Sequence, residues 1–285
     1  MNAVIFGANG QLGRELSRRL PGAPAFRRAE ADITDAAALA AVLERHRPEI
    51  VFNAVSDNRV DFAEGNPTPA FAVNALGVRS LALACRDVGA KLVHFSTNYV
   101  FGRERKRNTP YREAELPAPP NAYGVSKLIG EEFARSISAN SLVIRTAALF
   151  GRSAGSRHNF LENMLAKALA GQTVRIVDDQ TIAPTTTADL ASATINLTRA
   201  GAAGVFHLNG SGETTWYELA RRFFTLAGVA NRIAPVTSAE FAAAAPRPTY
   251  SVLCNDKYVS MGFSPPMRWD DAVDEYWRQA KRRGE

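Results

Sequence analysis

The chain has 285 residues, 46% of them apolar, and a formal net charge of +6 carried far more by arginine than by lysine. No apolar run approaches twenty residues, which argues against a membrane span. The only cysteines, Cys85 and Cys254, give no disulfide framework and fit a reducing compartment.

The length provides for one large α/β domain or two lobes with a buried core. The chain enters MNAVIFGANG directly, without a charged-then-apolar leader, so a cytoplasmic protein with no membrane partner is expected. In chain order the pattern predicts a strand over 3–6, a helix over 11–20, a helix over 36–46 and a strand over 50–55. A long helix over 68–88, ended by Gly89, leads to a strand over 91–96, a helix over 122–138 and a strand over 142–145. Strand and helix alternate without tight hairpins, which predicts a parallel sheet wrapped by helices, a Rossmann-type doubly wound α/β fold.

The rhythm loosens after about residue 150. Helices are expected over 160–170, 189–200 and 216–227, the last capped by Thr214 or Thr215, with a strand over 205–208. The last fifty residues carry prolines and little strand signal. The expected division is a nucleotide-binding domain over 1–150, to which 180–209 returns, and a smaller substrate lobe over 151–285. Lys281-Arg282-Arg283 reads as a tail favouring a helix C-terminus, and the dense run Arg103–Arg107 as a solvated loop.

His46, His94, His158 and His207 are scattered without ligand spacing, so no metal is expected. Arginine forks suit an anionic ligand. No zinc-finger or aromatic-basic RNA motif accompanies them, so no nucleic-acid partner is expected.

Gly7-Ala8-Asn9-Gly10-Gln11-Leu12-Gly13 joins the first strand to the first helix. The first glycine permits the tight turn, the second lets backbone approach a pyrophosphate, and the third lets helix pack on strand. The helix N-terminus then offers N–H groups to phosphate. Arg27-Arg28 follow the second strand, where an acidic residue would favour NADH. They predict NADPH, with NADH as the lesser cofactor. Asp32-Ile33 suit either the adenine or the start of the next helix.

NAYGVSKLIGEEF places Tyr123 four residues before Lys127, so both share a helix face. The pair is common by composition. It gains meaning from HFSTNYVF, which brings Thr97 to the carboxyl end of a strand, where parallel sheets bind ligands. A ketone that accepts hydride needs a proton donor. Tyr123 is the expected acid, with Lys127 lowering its pKa and binding the nicotinamide ribose, and Thr97 holding the carbonyl oxygen.

With these segments in view the chain resembles an extended short-chain dehydrogenase/reductase, and within that superfamily the dTDP-4-dehydrorhamnose reductases. FGANGQLGREL, FNAVSDNRVDFAE, STNYVFG, PYREAELPAPPNAYGVSKLIGE, DDQTIAPTTTADLA, GVFHLNGSGETTWYELA and PRPTYSVLCNDKY carry the resemblance nearly end to end. It implies reduction of the 4-keto group of a nucleotide-linked, dTDP-type, 6-deoxysugar, with Thr97, Tyr123 and Lys127 as the catalytic set. It adds Asn53, Ala54 and Val55 to the cofactor contacts, and Asp57, Asn58, Asn98, Tyr99, Ala148, Asn159, Pro184 and Arg247 to the substrate contacts. A homodimer is compatible with it.

Three departures fall where sugar contacts are implied. Asn98 replaces the family's aspartate, Ala148 its tryptophan, and Asp57-Asn58 are unusual. The sugar need not be the rhamnose precursor. Thr97-Asn98-Tyr99 lacks the acids that a 4,6-dehydratase uses. Two alternatives stay open on sequence: a nucleotide-sugar epimerase, and a non-catalytic NADP-binding subunit like that of methionine adenosyltransferase.

Overall fold

The structure, a computed structural model, describes residues 1–152 and 159–283. His158, one of the scattered histidines, lies outside the described residues. Strands β1 (Ala3–Phe6), β2 (Ala25–Phe26), β3 (Ile50–Asn53), β4 (Lys91–Thr97) and β5 (Leu142–Thr146) join Gly204–His207 in one six-stranded sheet. Its order is Gly204–His207, β5, β4, β3, β1, β2, and every pairing is parallel. This is the doubly wound α/β arrangement that the alternation predicts. β1 and β4 are buried along their whole length because helices cover both faces.

Two apolar layers sandwich the sheet. One face packs Leu12 and Leu16 of helix α1 (Gln11–Arg19) and Leu190 and Leu197 of the helix Thr187–Arg199 against Ile5, Phe52 and Val93. The other packs Leu39 and Leu43 of helix α2 (Ala36–His46) and Val78, Leu81 and Cys85 of the long helix against Val4, Val51 and Leu92. Asp35 caps α2, accepting from Ala38 N.

The segment Thr68–Val88 is helical throughout but not uniform. Its middle, Ala72–Gly77, is a π-turn between Thr68–Phe71 and Val78–Val88. The expectation of no span-length apolar segment needs correction. An 18-residue window within these 21 residues has a mean hydropathy of 1.3, so the helix is long and apolar enough to cross a membrane by length and composition alone. Their apolar face instead packs in the second layer of the core, and Arg79 and Arg86 interrupt the run.

After β5, Leu149–Phe150 pairs with Thr185–Thr186. The second lobe gathers the helices Phe160–Leu169, Trp216–Leu226 and Trp269–Arg283 around Phe150, Leu161, Phe223, Phe224, Val273 and Tyr276. Thr215 caps the middle helix, accepting from Glu218 N. Two features were missed in the sequence. Ile233–Val236 forms a strand beside Val174–Val177, and Trp269–Arg283 is a 15-residue helix, with the basic tail at its C-terminus as expected.

Candidate active site

The carboxyl edge of the sheet carries a pocket of about 310 Å³. Its wall takes Gly10, Gln11 and Leu12 from the first turn, Ala54 to Ser56 and Asn58 after β3, Phe95 to Asn98 from β4, Tyr123 and Lys127 from the helix Ala122–Ile137, and Thr146 to Leu149 after β5.

The glycine turn is built as its spacing predicts. Gly7 has φ +90°, and a Cβ there would lie 2.7 Å from Ala54 carbonyl atoms; at Gly13 it would lie 2.1 Å from Gly7 O. Both glycines are required by the fold. A Cβ on Gly10 would meet nothing closer than 3.4 Å, so protein packing does not demand glycine there and its open side faces the pocket. Gly10 caps α1 with no side-chain bond, which leaves the helix N-terminus to a ligand. Gln11 Oε1 is buried in the same place without a protein partner. A dinucleotide pyrophosphate fits this cradle. Gly7 and Ala8 both donate to Phe26 O, which sets Arg27 and Arg28 directly beside the turn.

Asn121 caps the tyrosine helix, accepting from Gly124 N, and starts it so that Tyr123 and Lys127 face β4. The Tyr123 hydroxyl donates to Asn58 Oδ1 at 3.2 Å, and its ring meets Tyr99 edge-on with centroids 6.1 Å apart. Thr97 Oγ1 accepts from Tyr99 N at 3.1 Å and donates to Asn98 Oδ1 at 3.2 Å. Asn98 Nδ2 in turn donates to Ser251 Oγ at 2.8 Å, joining the strand end to the second lobe.

The electrostatics correct one expectation. Burial pushes the Tyr123 phenol up to about 12, against the lowering effect of the Thr97 and Ser56 hydroxyls. Lys127 Nζ donates to Phe95 O at 2.6 Å, and burial pulls its pKa down to about 8 against the raising effect of the Glu131 carboxylate. In the ligand-free protein the lysine therefore does not make the phenol more acidic; desolvation outweighs it. Tyr123 stays protonated, the form a proton donor needs.

Comparison with known proteins settles the family. The family model described as the RmlD substrate binding domain matches residues 1–282. The chain belongs to the RmlD substrate binding domain family. It is 40% identical over 278 residues to a dTDP-4-keto-6-deoxy-D-glucose reductase of Streptomyces niveus, covering 95% of each chain. A dTDP-4-dehydrorhamnose reductase of Streptomyces griseus is also 40% identical, over 283 residues, covering 95% of this chain and 91% of the relative. Among solved structures, a dTDP-4-dehydrorhamnose reductase of Bacillus anthracis in complex with NADP superposes with a TM-score of 0.91 at 33% identity, covering 97% of this chain and 98% of that one.

For this RmlD-family chain, the pocket brings together Gly10, Gln11, Leu12, Ala54, Val55, Asn58, Thr97, Asn98, Tyr123, Lys127 and Ala148 of the expected site residues. Others take supporting places. Asn53 is buried, bonded to His94 Nδ1 at 3.1 Å, and accepts from Val55 N. Asn9 is the exposed tip of the glycine turn. Asp32 pairs with Arg28 and accepts from Thr34 N, while buried Ile33 packs on Gly77. Asp57 is held low by its pairing with Arg59. Arg247 forks onto Asp61 at 2.8 and 2.9 Å.

Two expected substrate residues lie outside the wall of this pocket. Asn159 caps the helix Phe160–Leu169, and its amide nitrogen donates to Gly151 O and Tyr276 Oη. Its side chain is fully engaged in that second-lobe contact and does not face the pocket. Pro184 lies at the close approach to Gly210, where a Cβ would come within 2.0 Å of its carbonyl oxygen, rather than in the pocket wall.

Sequence reasoning missed the support behind the loop after β3. Asn74, at the centre of the π-turn, is fully buried. It accepts from Ser56 Oγ and Asp57 N and donates to Asp57 O and Ser126 Oγ. That amide fixes the loop whose Asn58 meets Tyr123. Gly130 admits the π-turn, since a Cβ there would sit 2.1 Å from Asn74 O. The available signal was a polar residue inside the otherwise apolar AFAVNALGV.

Proposed function

We propose that this protein is an NADPH-dependent oxidoreductase that reduces the 4-keto group of a dTDP-linked 4-keto-6-deoxysugar to the alcohol. The observation that carries the reading is the convergence of Tyr123, Thr97 and Lys127 on the pocket that also contains the open Gly10 and uncapped α1.

Bound NADPH supplies the hydride for the carbonyl carbon. Gly10 and the α1 N-terminus would hold the pyrophosphate, and Arg27 and Arg28 would hold the 2′-phosphate. Tyr123, neutral and buried, gives its proton to the carbonyl oxygen as charge develops there. An alkoxide is a stronger base than a phenolate, so the transfer runs downhill despite the raised phenol pKa. Thr97 sits beside the phenol, and its hydroxyl can turn from Asn98 Oδ1 to the same oxygen. Lys127, whose Nζ is fixed by Phe95 O, brings a positive charge to the phenolate that remains.

Relatives of equal identity carry different sugar names, which matches departures concentrated at Asn58, Asn98 and Ala148 on the wall. The expected substrate class is therefore the dTDP-linked 4-keto-6-deoxysugars rather than one member. The test is NADPH oxidation with a panel of these compounds. Turnover with at least one supports the reading; tight NADPH binding without turnover on any would favour a non-catalytic subunit.

Arg28 is 82% exposed at its side chain and pairs with Asp32. Such a surface pair is worth about 0–1 kcal/mol and yields readily to a phosphate. Joint replacement Arg27→Ala, Arg28→Ala is expected to weaken NADPH by about tenfold or more, as for lost charge-assisted bonds, and NADH far less. Equal losses for both cofactors in a titration would refute the 2′-phosphate assignment.

A further inference from the structure

Thr146 ends β5 and is in direct register with Thr97 of β4. Paired residues of a parallel ladder project to the same face, so the two hydroxyls stand side by side at the carboxyl edge. Thr97 is fully bonded. Thr146 is not: it is 6% exposed, it lines the pocket, and its Oγ1 is buried without a hydrogen-bond partner. A buried unpaired hydroxyl is unfavourable in the free protein, and valine would fill the same volume without that cost. The fold therefore gives no reason for a hydroxyl here; a ligand does.

The sheet order indicates which ligand group. A dinucleotide anchored by its adenosine end beside β2 and its pyrophosphate at β1 and α1 must lay its other end toward β4 and β5. Asn98, just after β4, donates to Ser251 Oγ. Thr146 is on the next strand, followed by the apolar wall Ala147, Ala148 and Leu149 suited to a flat ring. We infer that Thr146 Oγ1 is a binding group for the carboxamide of the nicotinamide ring, and so sets which face of the ring meets Tyr123 and Thr97. The inference rests on the cofactor reading above.

Thr146→Val and Thr146→Ser test it, with thermal unfolding of the free protein and titrations of NADPH and of adenosine 2′,5′-bisphosphate, which lacks the ring. The free valine variant should unfold at the same temperature as wild type or higher. It should bind NADPH about 3- to 10-fold more weakly, the scale of one hydrogen bond, and the bisphosphate as before. The serine variant should keep wild-type NADPH affinity. Unchanged NADPH affinity in the valine variant overturns the inference. Equal weakening of both ligands, or a lower unfolding temperature of the free variant, assigns the hydroxyl to the fold and overturns it too. Wild-type NADPH binding is measured in the same series and tests the cofactor reading separately.

Discussion

Tyr123→Phe is expected to lower turnover by roughly 10²-fold or more, the usual loss for a positioned acid, with little change in NADPH affinity. The prediction is clean because the hydroxyl gives up only local polar partners, Asn58 Oδ1 and the neighbouring Thr97 and Ser56 hydroxyls. The ring's edge contact with Tyr99 does not involve the oxygen and survives. The helix start is fixed by the Asn121 cap and not by Tyr123. A phenylalanine therefore keeps the fold and the pocket wall while deleting the proton. Steady-state rates with saturating NADPH decide it: a variant within a fewfold of wild type would place the donor elsewhere, with Thr97 the next hydroxyl to test. Loss of NADPH binding equal to the loss of rate would mean that the tyrosine serves the cofactor rather than the chemistry.

What the sequence made legible was mostly local. The apolar run AVIF buries on both faces in a parallel sheet, so its length suffices, and KLVHFST is buried along its whole length although Lys91, His94, Ser96 and Thr97 are polar. The glycine turn is legible for the same reason: its geometry is demanded by Gly7 and Gly13 within seven residues. The π-turn at Ala72–Gly77 was not, because each residue there is compatible with an ordinary helix. The extra residue is accommodated by Asn74's bonds to the loop 56–57 and to Ser126, 17 or more positions away. The helix Trp269–Arg283 was obscured by its charges. The basic end was legible as favouring a helix C-terminus, but the helix before it was not, because Asp270 and Asp271 stand beside Ala272, Val273 and Tyr276, which close the second core. Asn159 was legible as a second-lobe position, but its amide bond to Tyr276, 117 residues away, was not. For Tyr123 and Lys127 the four-residue spacing showed proximity but not burial, and burial determines the sign of the phenol's shift.

Burial also dictates the largest stability effect. Glu131 lies one turn beyond Lys127 and is completely buried, with its carboxylate forked onto the buried Arg145 guanidinium at 2.7–3.1 Å and accepting from Ser96 Oγ. These three residues tie the tyrosine helix, β4 and β5 together just behind Thr97 and Thr146. Glu131→Gln keeps the shape but leaves the Arg145 charge in the core without its counter-ion. Breaking one side of such a pair costs about 3–5 kcal/mol, because the remaining ion stays desolvated. Arg145 has a weak alternative in the Phe101 ring, 5.1 Å away, and its other neighbour, His207, is kept neutral by burial, so neither replaces a carboxylate. Urea unfolding should therefore show a loss of about that size. The double replacement Glu131→Leu, Arg145→Met should recover much of it, since an apolar pair of similar volume carries no desolvation debt. A single-variant loss below about 1 kcal/mol is the size found for exposed pairs, and it would mean that water reaches the pair and that β4, β5 and the helix are less tightly joined behind the pocket than their contacts imply.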